Sequence, residues 1–258
     1  YHDVAAAGVV HTIAGWFAFG VLLNLGPRIG KYNEDGSANE IEGHSLVSSF
    51  IGLLMLIVGF FGFLGACLIW AGADLGGWTN IYGAPATLSS FVFNTLMGLA
   101  GGMIGAFWWS KGNPFWMMSG GLAGIFICAG GLDIWYPGFA FVLGIVAGCV
   151  IIPANNWLHN TFKIDDCVGA VSIHGVAGVM GVLAVGIFAA GFPSAGDIPP
   201  TSFVGQLVGC IVMILTGLIP GYVISYIMKS MGWLRVPDEV QAAGIDSAEL
   251  NLRAYADK

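Results

Sequence analysis

Charged side chains are scarce in this sequence: 9% of its 258 residues, against an apolar share of 57%. Soluble domains carry about 25% charged residues, so too few are present to cover a water-facing surface, and a soluble globule is excluded. The chain opens Tyr1-His2-Asp3, with neither an initiator Met nor a basic stretch ahead of an apolar one. No signal peptide is visible, and a processed start or a piece of a longer chain is the expectation. There is no CxxC pair. Cys67, Cys128, Cys149, Cys167 and Cys210 lie in or at the ends of apolar runs, which reads as small core residues rather than metal ligands or disulfides. The net charge of −7 says little about nucleic acid, since a membrane core needs neither basic grooves nor stacking platforms. Glycine, by contrast, is plentiful: 41 residues, where ordinary domains hold about 7%. In membrane bundles glycine lets helix backbones approach closely.

What remains is long apolar runs. A bilayer core about 30 Å thick needs about 20 apolar residues per helix, and seven such runs are present, at 4–24, 46–70, 86–109, 116–134, 138–157, 167–191 and 204–229. Polar or Gly/Pro-rich breaks separate them, the longest at 26–45. The expected fold class is therefore an all-α polytopic membrane protein, with residues 1–230 as the transmembrane domain and 231–258 as a tail. With seven alternating spans, all eight basic residues (Arg28, Lys31, Lys111, Lys163, Lys229, Arg235, Arg253, Lys258) fall on one side, and the opposite loops carry Asp74 and Asp197. The positive-inside rule places the N-terminal end outside and the tail in the cytoplasm, in a cell (inner or plasma) membrane. Seven spans invite comparison with retinal proteins, but every Lys is in a loop, at a span end or in the tail, so no mid-membrane Schiff base can form.

Of five histidines, His2, His44 and His159 sit near span ends, where a solvated or interfacial role is expected. His11 and His174 do not. Each follows an acidic residue by eight positions, Asp3 and Asp166 respectively, which at a helical rise puts it about 12 Å deep, near the midplane. The pattern D-x7-H-x-x-A-G occurs at both places, 163 residues apart, on spans of opposite direction. Inverted repeats place their sites near the midplane, and an intramembrane ionisable residue is a functional candidate. Two imidazoles in contact can share a proton, each offering the other a lone pair or an N–H. A pore lined in this way suits a small polar molecule or a relayed proton better than a bare cation. Haem ligation by the pair is an alternative, although no Arg or Lys lies near the midplane for the propionates.

These residues resemble the ammonium transporter family (Amt/Mep/Rh) with its twin-histidine pore. The resemblance is carried by 3–15, by GPRIGKY at 26–32, GFFGFLG at 59–65, Asn94-Thr95, KIDDCVGAVSIHGVAG at 163–178, and LRV at 234–236 with GID at 244–246. It implies an eleven-span fold built as a five-plus-five inverted repeat with one closing helix, of which this chain resembles spans five to eleven. It implies transport of ammonium or ammonia, deprotonated before passage, with no enzymatic activity and no cofactor. By resemblance, His11 and His174 are the pore and proton-relay pair. Asp3 supports the outer recruitment site, and Phe60 and Phe63 fall on the vestibule aromatic and the gate. A homotrimer, and a PII-type regulator on the cytoplasmic face, follow from the same source.

The sequence departs from the family at several points. Phe60-Phe61-Gly62-Phe63-Leu64 stands where Trp-Phe-Gly-Phe-Asn is common, and Cys67 replaces the recruitment serine. Cys128-Ala129 replaces a Thr-Pro pair and is followed by Asp133. Leu250 and Leu252 stand where a His and a Glu precede Ala254-Tyr255. A thiol is a weaker hydrogen-bond partner than a hydroxyl. These changes motivate two other readings, a non-conducting ammonium sensor and a structural membrane subunit that keeps the fold.

Overall fold

Backbone that must lie in hydrocarbon can satisfy its N–H and C=O groups only internally, so apolar runs of this length are obliged to be helices. The computed structural model describes residues 1–70, 79–193 and 199–252; Asp74, Asp197, Arg253, Ala254, Tyr255 and Lys258 lie outside the described residues. Seven helices account for the apolar runs: α1 (Ala7–Leu25), α2 (Leu46–Trp70), α3 (Leu88–Ser110), α4 (Pro114–Ala129), α5 (Pro137–Phe162), α6 (Val171–Phe188) and α7 (Phe203–Ser230). Two short helices, α8 (Asp238–Ala243) and α9 (Ile245–Glu249), follow in the tail.

Among the described residues, six of the seven are long and apolar enough to cross a membrane. The exception is α4. The sequence places a span at 116–134, but the helix has only 16 residues, about 24 Å at 1.5 Å per residue. It stops at Ala129 because Gly130-Gly131 opens a turn, in which the N–H groups of Ile134 and Trp135 both donate to Gly131 O, at 3.0 and 2.9 Å. Non-helical backbone at this depth needs protein partners, and Asn94 of α3 supplies them. Its Nδ2 donates to Leu132 O at 2.9 Å and Trp135 O at 2.8 Å. Pro137 then opens α5 at the position where its missing N–H costs nothing.

The bundle is apolar outside as well as inside. Large apolar side chains point outward, with Val47, Met55 and Val58 of α2 each 71% exposed, as a lipid-facing surface requires. Inside, Phe91, Phe126 and Trp135 are among the large side chains buried in the core, while the closest helix approaches are made at small residues. α3 lies along α4 and α5, α1 lies along α7, and α6 packs on α4 and α7. α2 runs beside α3 and α4. Where α3 meets α4, a Cβ on Gly98 would stand 2.6 Å from Gly124 O, so the two helices touch main chain to main chain.

Candidate functional site

The two histidine helices begin in the same unusual way. The first turns of α1 (Ala7–Thr12) and of α6 (Val171–Val176) are π-helical, and each contains its histidine. Such turns are rare and are found mostly at functional sites. An aspartate holds each one. Asp3 Oδ2 accepts from the backbone N–H groups of Gly8 (2.9 Å) and Val9 (3.1 Å) and from the Tyr1 hydroxyl (3.1 Å). Asp166 accepts from Ala170 N–H at 2.8 Å and Val171 N–H at 2.7 Å. The acidic marker eight residues ahead of each histidine is thus the group that caps its helix, where a carboxylate also meets the positive end of the dipole. Burial pushes both carboxyls above the usual range, against the opposing pull of these N–H donors.

The helices cross at glycine. A Cβ on Gly15 would overlap the backbone nitrogen of Gly175, and one on Gly178 would stand 2.7 Å from the nitrogen of Thr12. These two contacts are counterparts in the repeat, since Gly15 and Gly178, like Thr12 and Gly175, are 163 positions apart. The close crossing brings His11 Nδ1 to 3.2 Å from His174 Nδ1. Such a pair needs one protonated and one bare nitrogen, and leaves no space for a haem plane between the rings. His11 is 2% exposed and its Nε2 is buried without a partner.

The structure brings Phe60 of α2 to this pair, its ring centroid 6.4 Å from that of His11. Phe63 is placed elsewhere: it is 37% exposed and lines an apolar groove on α2 with Gly52, Met55, Leu56, Gly59 and Phe60. Cys67 is half-buried against the core. Asp3 is committed to capping through one oxygen, while its Oδ1 is buried and unpartnered.

One residue at the site escaped the sequence reading. Phe126 of α4, 1% exposed, stacks on His11 with a centroid distance of 3.7 Å and on His174 at 4.6 Å. It also meets Phe60 edge-on at 5.5 Å. An apolar ring inside an apolar run carries no signal that separates it from packing. Two span-end histidines also differ from expectation. His2 is not solvated, because its Nε2 lies 3.0 Å from the buried Asp133 carboxylate. His159 Nε2 accepts from the Asp166 N–H at 3.1 Å. Gln206 of α7, fully buried, fastens residue 2 by accepting from His2 N–H and donating to His2 O.

A cavity of about 770 Å³ opens at the Asp166 end, lined by Lys31, Asn113, Trp116, Asn155 and His159 among others. Its rim is held by Arg28, which grips Asp165 with Nε at 2.7 Å, Nη2 at 2.9 Å and its own backbone N–H at 2.9 Å. Burial alone would raise the Asp165 carboxyl, but the Arg28 donors overcome it and hold it below the usual carboxylate range. A depressed acid stabilises the fold above its unfolded pKa and loses that contribution as pH falls through the folded one. The 26–45 loop should therefore resist pepsin near pH 5 and become cleavable as pH drops below about 4. Equal cleavage of wild type and Asp165→Asn at pH 5 would show that Asp165 does not hold it.

The sequence profile of the Ammonium Transporter Family matches residues 1–255. The chain belongs to the ammonium transporter family. Among characterised members, it is 30% identical over 258 residues to the ammonium transporter Amt1 of Methanocaldococcus jannaschii and 32% identical over 260 residues to Amt2 of the same organism. These alignments cover all of this chain, and 62% and 58% of those two proteins. A solved structure titled Sensor Amt Protein superposes with a TM-score of 0.83 at 30% identity, over 96% of this chain and 60% of that one. Candida albicans Mep2 shares the fold, with a TM-score of 0.72 at 20% identity over 92% of this chain and 53% of that one. This ammonium transporter family member thus spans about six-tenths of the length of the relatives it matches and is a multi-pass membrane protein.

Proposed function

We propose that this chain forms the histidine-bearing part of a pore that carries ammonium nitrogen across a cell membrane as ammonia. The observation that carries the proposal is the buried His11–His174 contact at 3.2 Å. An ammonium ion at mid-bilayer is costly, so the proton leaves before the constriction. The neutral molecule then passes the imidazole pair, and the proton can follow along it. Potassium, having no proton to give up, is rejected. Ammonium dwells first near Phe60, Cys67 and Asp3, where aromatic faces offer cation–π attraction, and Phe63 belongs to the same entrance. On this reading the seven helices correspond to spans five to eleven of the family. The N-terminal end faces outward, the tail from 231 lies in the cytoplasm as the docking side for a PII-type regulator, and the working assembly is a homotrimer.

The test is ammonium flux into proteoliposomes carrying the full-length protein. His11→Ala and His174→Ala should each abolish selective flux or turn it into a cation leak. Unchanged ammonium-selective flux in both variants rejects the assignment. A second reading, an ammonium receptor that does not conduct, is supported by the likeness to the Sensor Amt Protein. Saturable ammonium binding without flux would favour it.

A further inference from the structure

Resting on the transport reading above, we propose that Phe126 is a gate at the histidine pair, closed in this structure, whose ring must swing aside before ammonia can pass. A ring stacked on another is common in protein cores, so the argument turns on which surfaces are covered. Phe126 covers both imidazoles at once, with centroid distances of 3.7 Å to His11 and 4.6 Å to His174 and interplanar angles of 19° and 29°. A molecule passing between a phenyl face and an imidazole face needs a van der Waals contact on each side, roughly 7 Å between the rings. Neither separation admits one. Phe60 abuts the edge of the same stack, 5.5 Å from Phe126 and 6.4 Å from His11, so aromatic contacts run without a break from α2 to His174.

A second observation points to a ligand here. Among the described residues His11 Nε2 is buried without a hydrogen-bond partner, and a buried polar atom left unpaired requires an explanation. A small donor and acceptor such as ammonia would pair it on arrival, and Phe126 is what keeps the site dry until then. The position of the ring also suits movement. It lies one turn before the end of α4 at Ala129, and its neighbours at 123, 129 and 130 are Ala, Ala and Gly. The backbone just beyond accepts from the Asp3 end of the chain, Ala5 N–H to Ala129 O at 3.0 Å and Val4 N–H to Gly130 O at 3.2 Å. Events at that end therefore reach the gate through main chain.

The test compares ammonium flux in proteoliposomes for the full-length wild type, Phe126→Ala, Phe126→Thr and His174→Ala. Gel filtration and thermal melting confirm that each is folded, and Thr serves if Ala does not fold. The expected result is a flux at least tenfold above wild type in Phe126→Ala or Phe126→Thr, lost again when His174→Ala is added. Flux within twofold of wild type in the folded Phe126 variants, with His174→Ala still inactive, overturns the gate and leaves the transport reading intact. No flux from wild type or from either folded Phe126 variant overturns both. Wild-type flux that persists in His174→Ala and His11→Ala overturns the pore assignment itself, and the gate with it.

Discussion

Gly15→Ala is expected to lower stability by about 2 kcal/mol and to abolish ammonium flux. The added Cβ would overlap the nitrogen and Cα of Gly175, which are main chain and cannot rotate away. Overpacking costs typically about 1–3 kcal/mol; against main chain that cannot yield the upper figure applies, and the better helix propensity of alanine returns about 1 kcal/mol of it. The helices must move apart, and they carry His11 and His174 with them, out of a contact that has no slack at 3.2 Å. Gly178→Ala should behave in the same way, because its Cβ meets Thr12 N at 2.7 Å and Ala7 O at 2.6 Å. Gly52→Ala on α2 is the control: among the described residues nothing lies within 4 Å of its Cβ, so it should be neutral or slightly stabilising. Thermal melts in detergent beside proteoliposome flux check all three. Equal melting temperatures for Gly15→Ala and Gly52→Ala would refute the crossing argument.

Asp166→Ala is expected to be the most destabilising single change at the site, by about 3–5 kcal/mol. It removes the acceptor for the part-buried N–H of Ala170 and the buried N–H of Val171, at 2.8 and 2.7 Å. Hydrogen bonds to charged groups contribute about 1.5–3 kcal/mol each. The π-helical turn that begins at Val171 loses its anchor, and His174 loses its place. Asp166→Asn restores at most one of the two bonds, because its NH2 group faces the second N–H as donor to donor. It should fall between wild type and alanine. Amide hydrogen exchange at Ala170 and Val171 reads the effect directly, and unaltered protection in Asp166→Ala would disprove the capping role.

Much of this site could be read from the sequence because apolar surroundings make polar residues conspicuous. His11 and His174 stood out as ionisable groups deep in apolar runs, at matched distances from Asp3 and Asp166, and the structure places the two rings in contact. Other features left no such mark. Phe126 sits in GIFICAG, where one more apolar ring looks like packing. Its role depends on which faces it covers, and that is a tertiary fact. The early end of α4 was hidden by the same composition, since a glycine-rich run reads equally well as helix or turn until Asn94 is seen holding Leu132 and Trp135. His2 and Asp133 are 131 residues apart, and no local periodicity announces a pairing over that distance. Phe63 shows the converse: its motif position is clear, but its ring lies on the α2 groove rather than beside His11.

The contact between α3 and α4 through Gly98 and Gly124 bears on how such a protein can change over generations. Where helices meet backbone to backbone, the shape of the interface does not depend on which large side chain stands nearby. The fold is then inherited through a few positions that must stay small. The outward residues of α2, such as Val47, Met55 and Val58, need only remain apolar and are free to drift among themselves. A lineage built in this way can rewrite most of its sequence and still recover the same arrangement of helices. The residues that would record a change of task, rather than the passage of time, are the few whose rings and carboxylates surround the histidine pair.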